Sequence, residues 1–358
     1  MAQPIAEGSV FVPAEDITAW AVQCLQALDL RPPDARQLAD SLVQTSLWGV
    51  DTHGIARLPH YFDRLSRRSI RAQPALKVNR TGPSTAQVDG DHGQGILVAH
   101  FANRLAMDMA RETGIAAVGV HDSSHCGAVG LYAREAARAG LIGLAFTHAD
   151  SIAAPHGGQR PFFGTNPIAI AFPRAGGEPV CLDMATTSIP WNRVMNARRE
   201  GHPLPPDIAI DAQGQPTTDP NAAIAVTPLG GHDYGHKGYA LALMVDLLSG
   251  PLHGNPFGPN IPAMFGDLNV PRRIGAFFIV LDPMRFAGGR MLAAVVEQVA
   301  HALAAEPGSP RMPGDPEHDC AAERRITGLP VEPQLARQMH DWSERLGVAS
   351  PLRTIAQG

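Results

Sequence analysis

Over the first 70 residues the apolar positions recur at helical spacing. Pro13, Ala14, Glu15 and Asp16 open a stretch that runs through Trp20, Val22, Cys24, Leu25 and Leu28. Ala35, Leu38, Ala39, Leu42 and Val43 keep the i, i+3, i+4 rule of one buried face, with Asp34 standing as N-cap. A third helical segment is predicted near Ile55 to Leu65, carrying Arg57, His60 and Arg64. From about residue 75 the texture changes. ALKVNRTG and STAQVDGDHGQG read as short strands and turns, and residues 96–112 read as a helix. IAAVGVHDS is a buried strand, LYAREAARAG a helix stopped by Gly140, and LIGLAFTHAD, IAIAFPR and PVCLDMA three further strands. This order predicts an α/β (α+β) fold around a mixed sheet. The strands end in polar or glycine-rich residues, where a ligand would be held.

Residues 192–235, rich in Pro, Gly and Asp, read as an ordered excursion with a strand-like centre at Ile208 to Ile210. HKGYALALMVDLLSG is a strong helix ended by Gly250-Pro251, IGAFFIVLDP another buried strand, and MLAAVVEQVAHALAAE an amphipathic helix. Residues 306–333 read as a proline-rich surface strap, and 333–347 as a closing helix.

Composition narrows the function classes. Hydrophobic residues make up 44% and charged residues 18%, enough for a sizeable core. The formal net charge of −5 lacks the basic excess of a nucleic-acid binder or a polybasic membrane anchor. No apolar run reaches the roughly 18 residues of a membrane span, and no secretory leader is visible at the N-terminus. Cys24, Cys126, Cys181 and Cys320 lie far apart, which suits a reducing compartment. These features predict a cytoplasmic protein. The 15 histidines show no compact ligand spacing, so no metal site is expected.

Neither G-x-G-x-x-G nor G-x-x-x-x-G-K-[ST] is present, which disfavours a Rossmann or P-loop nucleotide site. Other features carry chemistry. His53 follows Asp51 and Thr52, and Arg57 lies four positions on. On a helix the two share a face, pairing a group that titrates near neutrality with a guanidinium suited to a carboxylate. The bland alternative is a capping Asp/Thr beside a surface histidine. His125, with Cys126, Gly127, Ala128 and Val129, follows a buried strand and leads into a helix, an anion-friendly geometry or simply a tight turn. Thr165, in a Gly-Thr-Asn-Pro turn, offers a hydroxyl. Asp183, before Met184 and Ala185, is a strand-end cap or an orienting partner for a histidine. His236 and Lys237 open the long helix, where a lysine is electrostatically unhelpful unless an anion sits there.

Taken together, DTHGIARLPHYFDRL, VDGDHGQG, SSHCGAVGLYA, APHGGQRPFFGTNPIAIAFP, LDMATT, QGQPTTDP, GHKGYALALMVDLLSG and FFIVLDPMRF resemble, in this order, the type-2 malate/lactate dehydrogenase family. That family includes sulfolactate and ureidoglycolate dehydrogenases and cyclic imine carboxylate reductases. The resemblance implies a non-Rossmann nicotinamide-binding domain with a largely antiparallel sheet, a helical domain built from both chain ends, and a homodimer. The expected segments are 1–75, helical; 76–225, nicotinamide-binding; and 226–358, packing back on the helical part. It implies NAD or NADP as cofactor and a small carboxylate as substrate. His53 resembles the proton donor and acceptor, with Thr52 an orienting hydroxyl and Asp183 a polar partner. His125 is the alternative acid/base and stays open beside it. Arg57 and Thr165 resemble substrate contacts. His125 to Val129, Asp183 to Ala185, and His236-Lys237 resemble cofactor contacts. The chain departs from the family pattern at Trp191-Asn192-Arg193 and at Arg273. The expected reaction is hydride transfer at C2 of a 2-hydroxy or 2-oxo carboxylate; the alternative is reduction of a cyclic imine carboxylate.

Overall fold

The computed structural model describes residues 5–352. Strand β1 (Val10–Val12) is followed by helices α1 (Ala14–Ala27), α2 (Pro32–Leu47) and α3 (Leu58–Ser66). Two single 3-10 turns, Asp51–His53 and Ile55–Arg57, join α2 to α3. The middle of the chain supplies β2 (Lys77–Arg80), β3 (Thr85–Asp89), α4 (Gly95–Thr113), β4 (Ile115–Ser123), α5 (Gly130–Arg138), β5 (Ile142–Thr147), β6 (Ile168–Phe172) and β7 (Val180–Met184). An excursion follows, with α6 (Trp191–Glu200), β8 (Ala209–Ile210), β9 (Ala225–Val226) and the single-turn α7 (Gly231–Tyr234). The rest comprises α8 (His236–Ser249), β10 (Ile274–Leu281), α9 (Gly289–Ala305), α10 (Asp315–Thr327), β11 (Leu329–Val331) and α11 (Pro333–Leu346).

Seven strands form the main sheet in the order β2-β3-β4-β10-β5-β6-β7. Only β3 and β4 run parallel, joined by α4 as a crossover; the other neighbours are antiparallel. The sheet is therefore mixed and mostly antiparallel, as expected. β10 is apolar throughout and mostly buried, which suits its central place between β4 and β5. Helix α4 begins where the Gln94 side chain accepts the Ile96 N–H at 2.6 Å and ends at Gly114, whose φ of 90° lets the chain turn away. Its buried positions Ile96, Ala99, Ala102, Ala106 and Ala110 hold the helix close to the sheet.

The helical layer is built from both chain ends. β1 pairs with β11, matching Val10 to Val331. Trp20 donates its indole N–H to Ser343 Oγ at 2.8 Å, and Phe62 packs edge-on between Trp20 and Trp342. A single buried apolar cluster runs from these helices into the sheet. β10 comes from the last third of the chain yet sits at the sheet centre, so the central sheet draws on residues on both sides of position 226.

Several expectations need correction. Asp34 is not the cap of α2: that helix starts with Pro32 and Pro33, and Asp34 pairs with Arg31 at 2.7 Å. Proline lacks the N–H that a cap would satisfy, so two prolines open the helix without one. Residues 306–333 are not a continuous strap but contain α10 and β11. Pro316 at the start of α10 acts as an initiator rather than a breaker. The excursion after residue 190 holds a ten-residue helix, α6, whose periodicity is weak because only Val194 is buried. The third helix starts at Leu58, after the two 3-10 turns.

Helix α10 locks the His53 turn in place. Arg324 of α10, buried, donates to the Ser46 carbonyl and clamps both oxygens of Asp51, at 2.6 and 2.9 Å. Replacing it leaves a buried carbonyl and a partly buried carboxylate unpartnered. Arg324→Ala is expected to lower the unfolding free energy in urea by about 3 kcal/mol. A loss below about 0.5 kcal/mol, typical of a plain surface change, would contradict this clamp.

Candidate active site

The turn that carries His53 is set by one close approach. A Cβ on Gly54 would lie 2.0 Å from Ser46 Oγ, and that hydroxyl accepts the Ile55 N–H at 3.0 Å. Only glycine lets the turn sit this tightly on α2. With Asp51 held by Arg324, the 3-10 geometry aims His53 and Arg57 into one cleft. His53 Nδ1 and Thr52 Oγ1 are 2.8 Å apart. Arg57 Nε donates to the Thr52 carbonyl at 2.5 Å, which fixes the guanidinium relative to the imidazole.

The strand-to-helix segment after β4 brings the second histidine. The rings of His53 and His125 stack at 5.5 Å between centroids and 30° between planes. His125 Nδ1 is 2.7 Å from Tyr61 Oη, and the Gly127 N–H points at the same nitrogen at 3.4 Å. A nitrogen facing a backbone N–H is an acceptor, so Tyr61 donates to it and the ring proton belongs on Nε2.

The cleft holds about 430 Å³. It gathers Thr52, His53, Arg57, His125 and Thr165 against an apolar wall that includes Ile152, Trp191 and Phe265. Thr165 uses its carbonyl for Thr186, whose N–H donates at 2.9 Å. Asn166 beside it takes a left-handed φ of 36° and donates to the Ala242 carbonyl at 3.0 Å, the turn chemistry its sequence announces. The electrostatics keep both imidazoles neutral. Burial, then the charge of Arg57, pushes His53 down to about 3. Burial, then the His53 and Arg57 charges, holds His125 well below the usual histidine range.

The other predicted residues lie outside this cleft. Asp183 orients neither histidine: its Oδ2 accepts the Gly130 N–H at 3.1 Å, at the start of α5. Met184 and Ala185 follow it and are partly exposed. Cys126, Ala128 and Val129 turn their side chains into the protein interior, and Gly127 takes a left-handed φ of 70°. His236 and Lys237 are exposed at the start of α8, where His236 meets His156 edge-on and Lys237 Nζ lies 5.7 Å from the Tyr234 ring.

Residues 12–340 match the family described as malate/L-lactate dehydrogenase. The chain belongs to that family. A ureidoglycolate dehydrogenase (NAD(+)) of Escherichia coli O157:H7 is 35% identical over 274 residues, covering 76% of this chain and 77% of its own. An L-sulfolactate dehydrogenase of Methanothermobacter thermautotrophicus is 34% identical over 334 residues, covering 92% and 94%. Among solved structures, malate dehydrogenase from Entamoeba histolytica superposes with a TM-score of 0.90 at 28% identity, covering 96% of this chain and 100% of that one.

Within this member of the malate/L-lactate dehydrogenase family, groups in and around the cleft were not assigned by sequence reasoning. Tyr61, in the first turn of α3, is buried against His125 without lining the cleft itself. Asp150 lies near the start of the loop after β5, and Arg272 precedes β10. Arg272 lines the cleft, whereas Arg273 bonds Asp122 at 2.5 Å on the surface. A neighbouring pair of arginines gives no signal of which one is buried.

Neither imidazole is expected to titrate between about pH 8 and 5, since both are held below the ordinary histidine range. Proton NMR of the histidine ring signals, assigned with His53→Gln and His125→Gln, checks this. An inflection near pH 6.5, the usual value, at either ring would contradict the burial and the Arg57 field as the controlling causes.

Proposed function

We propose that this cleft transfers a hydride between a nicotinamide dinucleotide, NAD or NADP, and C2 of a small 2-hydroxy or 2-oxo carboxylate. The carrying observation is the neutral His53 imidazole fixed beside the Arg57 guanidinium in a half-enclosed apolar cleft. Family membership and relatives named for ureidoglycolate, sulfolactate and malate support the same reaction class.

The residues fit the cofactor. The apolar lining at Ile152 and Trp191 suits a planar ring, and the polar groups of His125 and Thr165 suit its carboxamide. From there the chain runs through Gly127 to the start of α5, where the backbone comes close to Asp183. His125 to Val129 and Asp183 to Ala185 would line its path, with His236 and Lys237 farther out for its phosphates. When bound, the nicotinamide accepts or supplies the hydride.

Arg57 binds the substrate carboxylate, bidentate where geometry allows. His53 keeps its Nδ1 proton toward Thr52 Oγ1 and leaves Nε2 free. That nitrogen takes the hydroxyl proton as the alcohol is oxidised and returns it in the reverse direction. The carboxylate also offsets the Arg57 charge that holds His53 down. Binding therefore raises the histidine toward the range where proton transfer works both ways. His125, fixed by Tyr61, is the second candidate for the proton. The apolar wall excludes water from the reacting carbon.

We assign the enzyme to the cytoplasm as a homodimer. Its four cysteines are unpaired, and α8 exposes Leu241, Met244 and Leu247 in a row that a second copy would cover. Its partner is a small carboxylate, and the acidic chain lacks the basic excess of a nucleic-acid binder; among the described residues no helix is long and apolar enough to cross a membrane.

The test is a spectrophotometric screen with both cofactors against malate, lactate, sulfolactate, ureidoglycolate and cyclic imine carboxylates. His53→Ala is expected to lower kcat by about 100- to 10,000-fold, the usual worth of a positioned acid/base, with cofactor affinity unchanged. Full turnover by His53→Ala would move the role to His125. Turnover of imines alone would replace oxygen chemistry with nitrogen chemistry.

A further inference from the structure

A second group of reactive side chains lies outside the His53 cleft, in an open groove of about 720 Å³ between α2, α4 and α5. Ser41, His100 and Glu135 line it, one from each helix. Ser41 Oγ is 3.1 Å from His100 Nε2, and His100 Nδ1 is 2.9 Å from Glu135 Oε2. Ser41 and His100 are buried, which shields their contact from water. A carboxylate at Nδ1 places the ring proton there and leaves Nε2 to accept the serine hydroxyl. Glu135 is itself held in place: Oε1 accepts Arg104 Nε at 2.6 Å, and Oε2 accepts Asn103 Nδ2 at 3.1 Å. Burial opposes its charge, but the His100 and Arg104 contacts hold it down to about 2, so it is ionised at neutral pH. The His100 ring packs edge-on against Tyr132, 5.0 Å between centroids, which sets its orientation.

The groove supplies two further elements. Gln44, one turn beyond Ser41 on α2, lines it too, and its buried Nε2 finds no acceptor among the described residues. An unpartnered amide N–H beside a hydroxyl is a donor for an oxyanion formed there. The charges along the groove are paired: Arg36 with Asp40, Arg104 with Glu135, and Arg138 with Glu178. Trp48 and Leu131 add apolar surface. Such a lining suits an uncharged ester better than an ionised acid. We propose that Ser41, His100 and Glu135 form a second, hydrolytic site that cleaves small neutral esters, with Gln44 Nε2 holding the oxyanion. Ser41 Oγ bonds to the acyl carbon while its proton passes to His100 Nε2. The C–O bond to the alcohol breaks as that proton moves to the leaving oxygen. Water then repeats both steps on the acyl-serine, releasing the acid and restoring the hydroxyl. In the resting protein the Ser41 hydroxyl also has the Gln37 carbonyl at 2.8 Å, the usual back-bond of a mid-helix serine. Rotation of the hydroxyl hydrogen alone moves it between the two acceptors. The site is separate from the nicotinamide reading of the His53 cleft and needs no dinucleotide.

The experiment follows p-nitrophenyl acetate hydrolysis by the full chain without dinucleotide. In parallel, peptide mass mapping finds the residue that diisopropyl fluorophosphate modifies. The native protein is expected to hydrolyse the ester and to carry the phosphoryl group on Ser41. Ser41→Ala and His100→Gln are expected to lower the rate by about 100-fold or more, the usual worth of a positioned acid/base. Gln44→Leu is expected to lower it by about 100-fold, the loss that follows removal of one oxyanion donor. Far-UV circular dichroism matching the native protein separates lost hydrolysis from a lost fold. A polar cross-link between three helices, without chemistry, predicts the opposite pattern: the variants lose thermal stability while hydrolysis continues at the native rate through surface groups. Hydrolysis unchanged in Ser41→Ala, or native protein with no phosphoryl group on Ser41, would overturn the proposal. A native rate in Gln44→Leu overturns the oxyanion assignment. If Ser41→Ala does not fold, the mass map of the native protein decides alone, a phosphoryl group on Ser41 supporting the site and its absence overturning it.

Discussion

Two imidazoles stack with ring centroids 5.5 Å apart beside an arginine, in a half-enclosed cleft. Such a cluster cannot hold protons on its histidines, because each added charge faces the guanidinium at low dielectric. The rest of the site depends on this. In the proposed mechanism a neutral His53 is the base before substrate arrives, and an anion bound at Arg57 lets it hold a proton afterwards. Binding and acid/base strength are thereby coupled through one short distance.

The fold maintains that distance from several directions at once. The His53 turn rests on α2 through Gly54 and is clamped from the far end of the chain by Arg324. His125 is delivered by β4, next to the central strand β10, which itself follows the segment bearing Arg272. The helical layer and the sheet share one apolar core, which ties the His53 turn, through Ile55 and Leu58, to the segment after β4, through Cys126 and Val129. The proposed dinucleotide site needs no Rossmann fingerprint, because an arrangement of this kind supplies placement without a glycine-rich phosphate loop.

Much of this was legible in the sequence. Strands such as IAAVGVHDS and IGAFFIVLDP announce themselves as uninterrupted apolar runs, and the His53 motif carries its chemistry within five positions. Five of the residues singled out, Thr52, His53, Arg57, His125 and Thr165, meet in one cleft. What escaped depends on distant packing. Helix α10 was hidden by prolines that initiate rather than break, and α6 by having one buried face residue. Asp183 looked like a partner for a histidine, but its Oδ2 accepts the Gly130 N–H at the start of α5. Arg272 and Arg273 are identical in sequence terms and opposite in burial, because only the fold decides which side of the chain faces Asp150.

The most direct test is a crystal structure of the enzyme with a nicotinamide dinucleotide and oxamate, an unreactive analogue of a 2-oxo acid. The account predicts the oxamate carboxylate on Arg57 and its remaining carbonyl oxygen within about 3 Å of His53 Nε2, with the nicotinamide ring against the Ile152–Trp191 wall. An oxamate held elsewhere, or a His53 ring turned away from it with the dinucleotide in place, would contradict the account.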